Sequence, residues 1–421
     1  VPRIAVDLTA FRESRDLRLV LIGQVISSVG TQAALVAVPF QIFVLTHSAA
    51  LVGLLGVVEL GPLITASLVG GAVADRHDRR RLLLAAQALV ALLAAGLAVA
   101  AALGDPSIVV IFLLAGALAG AGSVVNVARS AMVPGLAGPA RMRSALSLNF
   151  GLTQVASIVG PAAGGLLIAW LGVEATYTVD AAAFVVALGA TILLRPMPPA
   201  PVDGDPVPVG RSIAEGLRFV RANRALLGSF VIDLCAMGFG MPRALFAVLS
   251  LTVYHAGAAG AGALYAAVSV GATVAALTTG WVEHARWLGR IVIGAVLVWG
   301  AAIALAGLVP TLAGAAALLA VAGAADSISA VCRSIINQSV TPEALRGRMS
   351  AVYMLVVTSG PRVGDLESGL AASVTSAGFA VVSGGLACMA AVGVVVAAFP
   401  QLARFDGRKS LAEHEAAALA A

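Results

Sequence analysis

"GGAVADRHDRRR", residues 70–81, decides the reading of this chain: a glycine pair, an acid and a burst of arginines between two long stretches almost free of charge. Such a cluster marks a short polar loop joining two apolar segments. Of the 421 residues 60% are hydrophobic and only 11% charged, with a mean hydropathy of +1.00. That exceeds what a soluble core of this length needs and points to a polytopic membrane protein. A spanning helix takes about twenty apolar residues, so the chain has room for roughly a dozen.

Hydropathy and turn signals place six spans near 17–45, 50–73, 82–103, 107–133, 143–170 and 175–194. Six more fall near 226–253, 259–281, 288–308, 311–337, 347–373 and 377–399. The proline-rich start of residues 196–224 cannot span, and the later part reads as a short amphipathic surface helix. The expected organisation is an N-terminal cytoplasmic segment at 1–16, a bundle at 17–195, a linker at 196–225, a second bundle at 226–399 and a tail at 400–421. The first residues carry Arg3, Asp7, Arg12 and Glu13 with no apolar core, so no secretory signal is expected and the first helix targets the chain.

The arginines fall in alternate loops: Arg15 and Arg18, Arg76 to Arg81, Arg141 and Arg143, Arg195 to Arg224, Arg286 and Arg290, Arg346 and Arg348, and Arg404 with Lys409. Loops around His47, Asp105, Glu174, His255, Pro310 and Ala377 carry no Lys or Arg. The positive-inside rule then puts both termini in the cytoplasm, and the net charge of +5 is a topology signal with no nucleic-acid partner implied. Abundant alanine and arginine over lysine suggest a bacterial chain, so the bacterial inner membrane is the expected location, with membrane lipid around it.

Several chemistries are poorly served by this sequence. Cys235, Cys332 and Cys388 lie in different spans without a C-x-x-C spacing, and the histidines at 47, 77, 255, 284 and 414 fall in loops or tail. Neither pattern suits a disulfide framework, a metal site or a buried histidine relay. No serine and histidine set suggests an intramembrane hydrolase, so no enzyme is expected. There is no G-x-x-x-x-G-K-[ST] loop, so the expected energy source is an ion gradient or simple facilitation with no cofactor.

The halves resemble each other. SVVNVARSAMVPGLAGPARMRSAL (123–146) sets beside SISAVCRSIINQSVTPEALRGRMSAV (327–352), Arg129-Ser130 matching Arg333-Ser334, and VGPAAGGLL (159–167) sets beside SGPRVGDLESGL (359–370). Internal repeats are how many transporters build two gates around one site. Six plus six spans, a long central loop and G-x-x-x-D-R-x-x-R-R at Gly71, Asp75, Arg76, Arg79 and Arg80 resemble the major facilitator superfamily over essentially the whole chain. GPAAGG (Gly160, Pro161, Gly164, Gly165) is similar to the end of its drug:proton antiporter motif, whose upstream glycines are Ser147 and Ala156 here. VPFQIFVLTHSAALVGLLG (38–56) and TPEALRGRMSA (341–351) resemble the enterobactin-exporter-like branch, which exports siderophores or drugs.

The resemblance implies an all-α fold of twelve transmembrane helices in two pseudo-symmetric six-helix bundles. It also implies that Asp75 and Arg79 form a cytoplasmic latch at neighbouring helix ends, with Arg76 and Arg81 serving that latch or topology alone.

Ionisable groups in a span each cost about 2.5 to 3.5 kcal/mol at mid-helix, so they tend to face a cavity or a partner. Arg129 and Arg333 read as span-end residues able to snorkel, and Asp180 as lying near the outer end of span six. Glu59, Asp233 and Asp365 are the proton-coupling candidates. Arg362 is a gate candidate, pairing with Asp365 three residues on or, in one state only, with Glu59. Asp326, Ser329 and Arg333 share a helix face. Arg243, Asp326, Gln24, Gln32, Gln41, Asn149 and Gln154 are cavity candidates. Arg243 and Arg362 suit a partly anionic siderophore, and the acids suit a cationic drug. The expected function is proton-coupled export of such a small molecule by a monomer, the alternatives being an importer or a non-transporting receptor.

Overall fold

Polar residues at the loops start the helices. The computed structural model describes residues 11, 13–104, 106–138, 141–197, 209–342 and 345–407. Most of the anticipated segment at 1–16, the middle of the linker, Asp105 and the tail from Arg408 lie outside the described residues. Ser14 Oγ accepts from Leu17 N at 3.3 Å to open α1 (Arg15–Thr46). Ser48 caps α2 (Ala49–Arg76), and Asp78 caps α3 (Arg79–Ala102), accepting from Arg80 N at 2.8 Å and Arg81 N at 3.2 Å. The acid within the arginine loop is thus a helix cap, satisfying two donors that the helix leaves open.

Next come α4 (Ile108–Ala137) and α5 (Met142–Ile192). Gly172, at φ 85°, interrupts α5 and divides it into two spans; this left-handed backbone is open to glycine and strained for other residues. The later chain gives α6 (Val209–Ala222), α7 (Arg224–Gly240), α8 (Leu245–Thr252) and α9 (Gly257–Thr278), which runs into a 3₁₀ turn (Thr279–His284). It closes with α10 (Leu288–Leu308), α11 (Leu312–Val340), α12 (Arg346–Val374), α13 (Ala377–Ala398) and α14 (Pro400–Ala403).

Ten helical segments are long and apolar enough to cross a membrane. One of them, Ser144–Ile192, holds the two spans on either side of Gly172. Helix α12 has span length too, but Arg362, Asp365 and Glu367 depress its hydropathy. Counted this way, the described helices are consistent with twelve spans.

Span seven, expected near 226–253, covers Arg224–Thr252, and its helix is broken inside. It stops at Gly240 and resumes at Leu245. Pro242 explains the break: it disfavours helical backbone at Met241 and donates no hydrogen bond of its own.

The chain divides into two compact units. One comprises residues 1–51, 57–204 and 255–266, the other 52–56, 205–254 and 267–421. In the first unit a Cβ on Gly164 would lie 2.6 Å from Ala33 Cα, so α1 and α5 meet backbone to backbone. In the second, a Cβ on Gly271 would run into the Ala320 carbonyl and one on Gly323 into the Val268 carbonyl, locking α9 against α11. Between membrane helices, where hydrophobic driving force is weak, this close packing supplies the cohesion. The amphipathic α6 docks on α12 through Glu215 and Arg348 at 2.8 Å.

Candidate functional site

The second unit buries an ion cluster. Asp233 is the tenth residue of α7; Asp326, Ser329 and Arg333 lie three and four residues apart on α11 and so share one face. Arg333 lies 2.8 Å from Asp233 Oδ1 and 3.7 Å from Asp326 Oδ1, and its second amino group donates to Ser329 Oγ at 2.9 Å. The Arg333 and Asp233 side chains are 6% and 5% exposed, whereas Asp326 is 38% exposed. One guanidinium is therefore shared by an occluded acid and an open one. Beside it is a small recess lined by Ser229, Phe230, Asp233, Arg333, Asn337 and Tyr353, the two rings meeting edge to face at 6.2 Å. Two buried charges offset their desolvation only with good geometry and further hydrogen bonds, as Ser329 provides. Arg333, expected near a span end, is held by acids of α7 and α11.

Asp365 is engaged at the break in span seven. Its Oδ1 accepts from Ala244 N at 3.0 Å and its Oδ2 from Arg243 at 3.2 Å. It thereby satisfies a backbone donor exposed by the break in span seven. Both oxygens are committed to the break. Within the second unit residues 52–56 approach the same stretch of α12: a Cβ on Gly56 would stand 2.9 Å from the Arg362 carbonyl, and one on Gly53 would meet that of Asp365. Glu59 and Arg362 are each engaged in interactions of their own.

In the first unit the glutamines of α1 are drawn to α5. Gln24 donates to Thr153 Oγ1 at 3.1 Å, and Gln41 accepts from the Tyr177 hydroxyl at 2.8 Å. Gln32 packs against Gly160, and Gly165 brings α5 to within 3.0 Å of Gly262 as measured from a built Cβ. The Pro161 carbonyl closes on Gly262 in the same way. Asn149 Oδ1 is buried without a hydrogen-bond partner, and Gln154 has a partner. Asp180 lies deeper than its expected place near the span's outer end. It is 1% exposed, packs at Gly30 midway along α1, and neither of its oxygens meets a donor among the described residues.

In the loop, Arg79 donates to Ala131 O of α4 at 2.9 Å, and Arg80 to Thr191 O at 3.2 Å and Ile192 O at 2.6 Å at the end of α5. The Thr191 and Ile192 carbonyls are among the acceptors that a helix C-terminus leaves open. Asp75 and Arg76 are exposed, and a Cβ on Gly71 would meet nothing. Arg129 is half-buried on α4.

Sequence reasoning missed the Asp78 cap, the partners Thr153 and Tyr177, and the cross-helix bond from Arg243 to Asp365. The H-D-R-R order after Arg76 and the Met-Pro of span seven were the signals for the first and the last.

The chain matches the family model described as transmembrane secretion effector over residues 8–419. It is 31% identical over 388 residues to the enterobactin exporters EntS of Shigella boydii serotype 4 and Escherichia coli O139:H28, covering 90% of each chain. Among solved structures it superposes on a POT family transporter in complex with 5-aminolevulinic acid with a TM-score of 0.72 at 11% identity, over 92% of this chain and 97% of that one. A bacterial homolog of the human lysosomal transporter Spinster gives a TM-score of 0.71 at 14% identity, over 94% and 97%. At such identities these two likenesses speak to the fold alone.

Proposed function

The chain belongs to the transmembrane secretion effector family of major facilitator transporters, and from that premise we propose that it is a proton-coupled exporter of a siderophore. It is an integral membrane transporter rather than an enzyme, and it moves a small molecule. The siderophore reading is supported by relatives named enterobactin exporters. The bacterial inner membrane with both termini cytoplasmic is the location that fits the arginine-bearing loops.

The observation that carries the coupling is the cluster of Asp233, Arg333 and Asp326. Three ionised groups there sum to one negative charge, so a proton on either acid leaves a neutral set. With the proton on the more open Asp326, Arg333 is fully matched by Asp233 and α7 is tied to α11. With the proton on Asp233 that tie weakens, and Arg333 turns to Asp326 on its own helix. The two acids titrate as one unit through their shared cation. A proton arriving from one side and leaving to the other thus changes how α7 and α11 are held, which is the element alternating access requires. During export the acid loads from outside as the siderophore leaves and discharges inward as the next one binds.

The test is transport of iron-free enterobactin into inverted proteoliposomes under an imposed pH gradient, with a cationic dye alongside. Uptake of enterobactin that follows the gradient and collapses with an uncoupler supports the reading. Uptake of the dye alone sinks the substrate class, and uptake that ignores the gradient sinks the coupling.

A further inference from the structure

The two halves of the repeat carry the same arginine in opposite electrostatic settings. Helices α1 and α7 both open on a side-chain cap, Ser14 and Asn223, and the residue ten places after each cap is Gln24 in one and Asp233 in the other. Arg129 and Arg333 are each the twenty-second residue of their helices, α4 and α11, and each precedes a serine. In that register Asp326 corresponds to Gly122 and Ser329 to Val125. Every group that neutralises Arg333 is therefore replaced in the first half by one that cannot. Gln24 spends its amide on Thr153.

Arg129 accordingly meets no acid and no hydrogen-bond acceptor among the described residues, although it sits in a span. Its helix is two-faced. Ala121, Ala128 and Met132 are packed into the core, while Asn126 and Ser130, flanking Arg129 on the other side, are exposed. At about 1.5 Å per residue Arg129 lies some 12 Å from the C-terminal end of α4. Two residues after Arg129, the Ala131 carbonyl accepts from Arg79 of the arginine loop, so Arg129 lies on the side of that loop. An uncompensated cation inside a span is costly, and such residues mark the path of a substrate or ion of opposite charge.

We infer that Arg129 is the contact for an anionic oxygen group of the exported molecule, at the end of the passage where that molecule is loaded. This rests on the exporter reading and narrows its substrate to a molecule with an ionised carboxylate or catecholate. Arg333 is closed to the substrate because Asp233 and Asp326 already hold it, so the two halves divide the work: α4 binds the anion and α11 handles the proton. A lipid phosphate offers the same chemistry as a substrate carboxylate, and the test separates the two.

The full chain in phosphatidylcholine nanodiscs is titrated at pH 7 with 2,3-dihydroxybenzoylserine, whose carboxylate is ionised, and with its uncharged methyl ester. The native protein should bind the acid at least tenfold more tightly than the ester. Arg129→Gln should weaken the acid at least tenfold, leave the ester unchanged and so erase the preference, and Arg129→Lys should restore part of it. Gln24→Asp, which places an acid where the second half has Asp233, should erase the preference with Arg129 still present, and it carries the test if Arg129→Gln does not fold. A preference that survives Arg129→Gln or Gln24→Asp overturns the inference. So does a preference that vanishes when phosphatidylglycerol replaces phosphatidylcholine, since Arg129 then holds a headgroup. Binding of both probes without preference defeats this inference alone, whereas binding of neither defeats the siderophore reading and the inference with it.

Discussion

Arg333 of α11 lies 2.8 Å from Asp233 of α7, both side chains almost wholly buried, and the same guanidinium reaches the more open Asp326 at 3.7 Å. A single cation thereby ties two helices together and matches either of two acids.

Arg333→Met removes that cation and strands two acids inside the bundle. Breaking a buried pair from one side costs about 3–5 kcal/mol, whereas replacing both partners by apolar groups is far less harmful. Arg333→Met should therefore lower the thermal midpoint sharply, and adding Asp233→Leu should recover much of the loss. A double variant no more stable than Arg333→Met would show that the pair is not what the fold depends on.

Asp365 secures the break in span seven through Ala244 N and Arg243. Asp365→Ala leaves a buried amide without an acceptor, a loss of about 1–3 kcal/mol. Asp365→Asn keeps one carbonyl oxygen for that amide and should lose less. Thermal unfolding in detergent reads the order, native above Asn above Ala, and equal midpoints for the two variants would remove Asp365 from this role.

The crossing of α9 and α11 has no room for a methyl group. Gly271→Ala presses on the Ala320 carbonyl and Gly323→Ala on that of Val268, each expected to cost about 1–3 kcal/mol as overpacking against backbone. Gly71→Ala, where a Cβ meets nothing, is the control and should be unchanged or slightly stabilised. Expression and midpoint of the three variants give the comparison.

Arg80 donates to the Thr191 and Ile192 carbonyls at the end of α5. Arg80→Ala frees both and should cost about 1–2 kcal/mol, with faster amide hydrogen exchange confined to the last turn of α5. Unchanged exchange there would make Arg80 a topology residue and nothing more.

Helix number, the amphipathic α6 and the division of α5 were legible because hydropathy, proline and glycine act locally. The break inside span seven was not legible, since its apolar run continues past Met241 and Pro242 and the group that makes the break tolerable, Asp365, lies over a hundred residues away. The same distance hid the partners of Asp233. Sequence spacing put Asp326, Ser329 and Arg333 on one face because i, i+3 and i+7 positions align on any helix. It carried no information on which other helix would face them. Whether Arg129 meets a partner likewise depends on which helices face α4, which sequence spacing does not carry.

Simultaneous proton and substrate flux tests the central claim most directly. Proteoliposomes holding a pH-sensitive dye are loaded with enterobactin, and proton movement is recorded as substrate leaves, for the native protein and for Asp233→Asn. The account predicts opposed proton and substrate fluxes in the native protein, and in Asp233→Asn an exchange of labelled for unlabelled substrate that persists with no accompanying proton movement. Proton flux coupled to substrate in Asp233→Asn as in the native protein would contradict it.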